Sequence, residues 1–101
     1  MKECCKDYLM EQFGDEFVAE EIYGEFVASM KTKVEEVSAA LAAQDWHQVD
    51  LVAHAIKGNS LAAGDEEMAE TAIALRNEAK LHEPQRSAVL VEKLKELVAG
   101  L

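Results

Sequence analysis

The sequence predicts an all-α fold, an antiparallel up-and-down four-helix bundle with a short N-terminal helix, and three observations predict it. Apolar residues recur at steps of three and four along four long stretches, the periodicity of a helix with one buried face. Residues that break helices are scarce, with five glycines and one proline, which disfavours a turn-rich β protein. The links between stretches are short, so consecutive helices are expected to lie side by side in opposite directions. At 101 residues the chain suits one domain, 1–101, with room for a single core.

The first helix is expected from about Asp7 to Phe13, with Tyr8, Leu9 and Phe13 on its apolar side. Gly14 punctuates it and Asp15 is placed to cap the next. From Phe17 to Ala43 the residues Tyr23, Phe26, Met30, Val34, Val37 and Leu41 form one apolar face. Gly24 interrupts this run, and a glycine in a helix interior costs about 1 kcal/mol relative to alanine, so a kink or break is expected to centre there. Asp45 opens the third stretch, and Gln48 three residues on completes the pattern of a capping box. Its inner stripe is Trp46, Val49, Val52, Ala53, Ile56, Ser60 and Ala63, with Gly64 ending the helix. Asp65 restarts the chain, followed by Glu66 and Glu67, whose charge suits a helix N-terminus. Met68, Ala72, Leu75 and Ala79 mark the inner face down to about Leu81. After the loop His82-Glu83-Pro84-Gln85, Pro84 fits the first turn of a last helix. Leu90, Val91, Leu94, Leu97 and Val98 supply its stripe before Gly100.

Charge narrows the function. A formal net charge of −10 repels nucleic acid and anionic membranes alike, and no basic stripe offsets it. No run approaches the roughly twenty apolar residues of a membrane span, and Met1 to Asp7 lacks the apolar centre of a signal peptide, so a cytoplasmic protein is expected. Cys4 and Cys5 are adjacent, a spacing that suits neither a stapling disulfide nor a metal site, and read as two reduced thiols. There is no glycine-rich phosphate loop, and neither cysteine neighbours a histidine in sequence, which leaves no signature of a nucleotide-binding or hydrolytic enzyme.

The stretch that carries chemistry is His54-Ala55-Ile56-Lys57-Gly58 with Gly64 beyond it. At 100° per residue, His54 points about 140° away from the centre of the inner stripe, so its ring is expected in solvent. A neutral imidazole offers a lone pair able to attack phosphorus, and an unperturbed histidine is mostly neutral at pH 7. Lys57, at i+3, can neutralise phosphoryl oxygens. Gly58, at i+4, leaves a gap through which another protein can reach the ring. Leu51, Ala55 and Leu61 add an apolar patch suited to docking. Asp50, one turn before His54, and Lys57 act on the charge of the ring in opposite senses, and the spacing leaves the balance open.

These residues resemble the histidine-containing phosphotransfer, or HPt, domain of phosphorelays. The family pattern H-x-[LI]-K-G with a glycine six residues later is matched by His54, Ile56, Lys57, Gly58 and Gly64. Asp45 and Trp46 opening the histidine helix, Phe26 before it, and Leu75 and Glu78 after it also fit, so the resemblance runs from about Gly14 to the C-terminus. Ile56 stands where leucine is commoner, a conservative change. The resemblance implies a phosphocarrier, not an enzyme with kinase activity, in which His54 accepts a phosphoryl group from a receiver-domain aspartate or a partner kinase and relays it to another response regulator. It implies Lys57 as a phosphoryl-stabilising cation, Gly58 as the access residue, and Ile56 and Gly64 as residues that orient the helix. Because family members often place polar or basic residues on the next helix, Arg76 and Lys80 are further phosphoryl-stabilising candidates. No cofactor of its own is implied, since the partner receiver supplies Mg²⁺. The expected partners are response-regulator receiver domains and a histidine kinase, hybrid or otherwise, acting on a monomer.

Rival readings make different demands. A phosphotransfer domain excised from a larger chemotaxis-type or hybrid kinase carries a related motif; that no dimerisation or ATP-binding domain follows Leu101 favours a free-standing module. A helical interaction module that is never phosphorylated would keep its function without His54. Metal binding by Asp50 and His54 has only two ligands one turn apart, short of the three or four a stable site needs, so no metal is expected.

Overall fold

A computed structural model describes the whole chain, Met1 to Leu101. It is all-helical, with α1 at Glu3–Phe13, α2 at Glu16–Ala42, α3 at Trp46–Ala62, α4 at Glu66–Lys80 and α5 at Pro84–Ala99. A helix rises 1.5 Å per residue, so the 27 residues of α2 extend about 40 Å. This nearly equals the 43 Å long axis of the molecule, which makes α2 the spine. Helix α3 packs between α2 and α4, and α5 closes the ring by packing against α4 and α2.

Carboxylates start four of the helices. Asp15 accepts from the Val18 N–H, Asp45 from Gln48 and Asp65 from Met68, each at 3.2 Å, and Glu83 accepts from Gln85 and Arg86. Such caps satisfy N–H groups left unpaired by the first helical turn and contribute about 1 kcal/mol each. Pro84 occupies the start of α5, as expected. At Asp45 the aspartate half of the capping box forms.

The three links between long helices repeat one backbone design. Each is three residues, 43–45, 63–65 and 81–83, and its middle residue is left-handed, with φ of 52° at Gln44, 77° at Gly64 and 51° at His82. The N–H after it reaches back five residues, Asp45 to Ala40, Asp65 to Ser60 and Glu83 to Glu78. This is the Schellman arrangement, which satisfies carbonyls at a helix end. The next capping carboxylate follows at once, so one helix stops and the next starts within three residues.

Twenty-one residues form a continuous core, from Cys5 and Leu9 through Phe26, Met30, Val49, Ile56, Met68 and Leu75 to Leu94 and Val98. Three expectations need correction. Helix α1 starts at Glu3, four residues early, because Lys2 and Cys5 tie its first turn to the bundle; the Lys2 ammonium lies 3.0 Å from Asp65, and Cys5 is buried. Phe13 is not part of the core face but 51% exposed, at the last turn of α1. Helix α2 runs unbroken through Gly24, which is exposed and open on its outer side, and nothing in the structure explains the glycine there.

The N-terminal tie is closely knit. Asp65 is fully buried and takes both Lys2 Nζ, at 3.1 and 3.0 Å, and the Met68 N–H. Burial opposes the charge on Lys2, but the hydrogen bond and attraction of Asp65, with Cys4 and Cys5 adding to them, hold its ammonium above the ordinary lysine range. The Lys2 N–H also donates to the Tyr23 hydroxyl, which donates to the Leu101 carbonyl at 2.9 Å. Burial, with the Cys4 and Asp65 charges behind it, pushes the Cys5 thiol up to about 12, so it stays protonated at neutral pH. Both cysteines are free.

Candidate functional site

Helix α3 sorts its residues by direction. Val49, Val52, Ala53, Ile56 and Ser60 are buried, while Leu51, His54, Gly58 and Leu61 are exposed and Ala55 and Lys57 are intermediate. Ile56, 1% exposed, fixes the inner side, and the Ser60 hydroxyl donates to its carbonyl at 2.6 Å. Two residues on from Ile56 in one direction and two in the other, His54 and Gly58 therefore share the opposite face. The polar Asn59 links this helix to α2 through a 3.1 Å bond from its Nδ2 to Ser29 Oγ.

Arg76 reaches across from α4. Its Nε donates to Asp50 Oδ1 at 2.9 Å, and its Nη1 lies 2.9 Å from Nδ1 of His54. The guanidinium thus spans two residues one turn apart on α3 and holds the imidazole by one nitrogen. No protein group bonds the other ring nitrogen, Nε2. The Arg76 hydrogen bond, working against burial and aided by the charges of Arg76, Lys80 and His54, holds the Asp50 carboxyl below the usual range. Asp50 is therefore ionised at neutral pH and anchors the arginine.

The other two cations differ from Arg76. Lys57 forms no ion pair within the chain, and neither does Lys80. Lys80 acts electrostatically on Asp50 and lines a depression with Trp46, His47, Asp50, Ala79 and His82. Arg76 is thus paired with Asp50, whereas Lys57 and Lys80 are cations without an ion-pair partner on a chain of net charge −10. Leu51 and Leu61, 49% and 48% exposed, flank His54 three residues before and seven after. A Cβ added to Gly58 would meet nothing within 4 Å, so the fold itself does not require glycine there. Gly64 is the reverse: its φ is left-handed, and a Cβ would overlap the Tyr8 side chain of α1.

Sequence reasoning brought His54, Lys57, Gly58, Leu51 and Leu61 to one face and reached Arg76 through the family. It missed the Asp50–Arg76 pair, which joins residues 26 apart and leaves no local signal. It also placed His82 in a loop and gave it no contact. The ring is exposed, but it stacks on Trp46 with centroids 5.5 Å apart and planes 6° from parallel. The left-handed link at His82 turns it toward the start of α3, a consequence of link geometry rather than composition.

The family model described as Hpt domain matches residues 21–101. No curated protein and no solved structure matches the chain.

Proposed function

The chain belongs to the Hpt domain family, and from that premise we propose that it carries a phosphoryl group on His54 between receiver domains of a phosphorelay. Domains of this family transfer phosphoryl groups through histidine and are carriers rather than kinases. The observation that carries the assignment to His54 is the pairing of an exposed imidazole with Gly58, whose open side serves nothing inside the protein.

In the proposed reaction, the Nε2 lone pair of His54 attacks the phosphorus of a receiver aspartyl phosphate. The N–P bond forms as the P–O bond breaks, and the electron pair leaves on the aspartate carboxylate. Lys57, free of any internal partner, neutralises phosphoryl oxygens, with Arg76 and Lys80 adding positive potential. Gly58 admits the partner, and Leu51, Ala55 and Leu61 form the apolar rim it docks on. Ile56 and Gly64 hold the helix in register. The chain brings no cofactor of its own; Mg²⁺ belongs to the partner receiver. Links of three residues leave no length for a crossover, which supports the antiparallel up-and-down order of a four-helix bundle preceded by α1. The proposal treats residues 1–101 as one domain that works as a monomer in the cytoplasm, with receiver domains and a histidine kinase as partners. No helix is long and apolar enough to cross a membrane.

The test is two-step transfer. A phosphorylated receiver is mixed with the chain, which is separated and given to a second receiver. The wild-type chain is expected to gain and then pass on phosphate, and His54→Gln to do neither while keeping its helical content. A folded wild-type chain left unlabelled by a panel of receivers contradicts the proposal.

A further inference from the structure

We infer that Arg76, anchored by Asp50, is a positioning residue that latches Nδ1 of His54, blocking the attacking tautomer at rest and slowing N–P cleavage once the ring is phosphorylated. The inference rests on the phosphocarrier reading and adds a control to it. A guanidinium has N–H donors and no acceptor, so the 2.9 Å contact with His54 is a bond only if Nδ1 contributes its lone pair. The neutral ring then carries its single proton on Nε2, the nitrogen that no protein group bonds. In this state neither nitrogen can attack: Nε2 has its lone pair in the aromatic system, and Nδ1 is engaged by Arg76.

Loading therefore needs Arg76 to release Nδ1. Water then exchanges the ring proton, taking it from Nε2 and returning one to Nδ1, and Nε2 attacks phosphorus as described above. The product holds a proton on Nδ1, which it gives back to water, and Arg76 re-forms its bond to the freed lone pair. Discharge runs the same path backwards. When the N–P bond breaks, its electron pair goes to Nε2, and the departing ring is a neutral imidazole only if Nδ1 carries a proton. With Nδ1 occupied by Arg76 the leaving group is closer to an imidazolate, and attack by water on phosphorus is slow.

The surroundings hold the latch in place. From α3, Asp50 holds Arg76 Nε at 2.9 Å, and Lys57 adds positive charge one turn beyond His54. From α4, Arg76 makes both contacts and Lys80 lies toward Asp50. With a side chain 24% exposed, Arg76 is accessible enough to be drawn off by a docking partner's anionic group. The carrier keeps its phosphoryl group while alone and gives it up in complex.

Two measurements on the full chain test this at one fixed pH where the ring is neutral. The first is the ¹⁵N resonances of the His54 ring without phosphate. Wild type is expected to show a proton-free Nδ1 displaced by hydrogen bonding, and Arg76→Gln to lose that displacement or gain an Nδ1–H fraction; identical ring resonances in the two overturn the latch. The second is the lifetime of phosphohistidine after loading with phosphoramidate and removal of the donor. Arg76→Gln is expected to lose phosphate about tenfold faster than wild type, as loss of a hydrogen bond to a charged group implies. Asp50→Asn, which keeps the guanidinium but loosens it, should fall between them. Equal or longer lifetimes in both variants overturn the latch while leaving the carrier reading intact. A wild-type chain that takes no phosphate from either phosphoramidate or receivers overturns the carrier reading, and the latch with it.

Discussion

The two glycines of the α3 region stand six residues apart and have opposite physical reasons. Gly64 is closed: its backbone is left-handed and Tyr8 fills the space a side chain would need. Gly58 is open, with nothing of its own chain within reach of a Cβ. The nearby carboxylate–cation pairs divide in the same way. Asp65 is sealed under Lys2 with every bond satisfied inside the protein, whereas Asp50 and Arg76 stay 30% and 24% exposed and extend to a ring in solvent. One end of α3 is built for stability and the other is left available to a partner.

The largest expected contrast comes from making the same change at both glycines. Gly64→Ala adds left-handed strain and an overlap with Tyr8, and should lower the unfolding free energy by about 2–5 kcal/mol, with α1 displaced. Gly58→Ala should raise it, by up to about 1 kcal/mol, because alanine is the better helix former. The same substitution should slow phosphoryl exchange with receivers, since its methyl group takes up room on the open face that Gly58 shares with His54. Urea unfolding and transfer rates check both, and equal destabilisation at the two sites would break the division.

A smaller contrast separates the ion pairs. Lys2→Ala leaves Asp65 buried without its cation and should cost about 1–3 kcal/mol. Arg76→Gln opens a pair that water already reaches and should cost less than about 1 kcal/mol. Urea unfolding of the two variants in one buffer orders them, and a larger loss from Arg76→Gln would reverse the assignment of roles.

Much of this division was legible in the sequence. The steps of α3 put Ile56 inside and His54 outside, and Asp45, Asp65 and Pro84 marked helix starts the structure reproduces within a residue. The unread parts depend on distance along the chain. Lys2 meets Asp65 across 63 residues, so nothing near Lys2 announced that α1 starts at Glu3 or that Tyr8 sits on Gly64. Arg76 signalled only an i,i+4 relation to Lys80; its hold on Asp50 and His54 exists because the α3–α4 link sets two helix faces together. Gly58 and Gly64 look alike as letters, and only the packing of α1 tells them apart.

The smallest expected effect is in acid. The Asp50 carboxyl lies below its ordinary range when folded, so the unfolded chain takes up that proton first as pH falls. The Arg76–Asp50 pair should therefore contribute in full above the ordinary aspartate range, fade as pH drops below it, and be lost once pH passes the lower folded value. The stability difference between wild type and Asp50→Asn should shrink over that window; a difference constant with pH would contradict the pairing.

The chain supplies its own controls for the central claim, because His47, His54 and His82 are all exposed and only His54 has both Arg76 and an open glycine beside it. The most direct measurement is to load the folded chain from a phosphorylated receiver, confirm that the phosphate is acid-labile and alkali-stable, and map it by fragment mass spectrometry. The account predicts phosphate on His54 and none on His47 or His82. Phosphate on either of those two, or an unlabelled but folded chain, would contradict it.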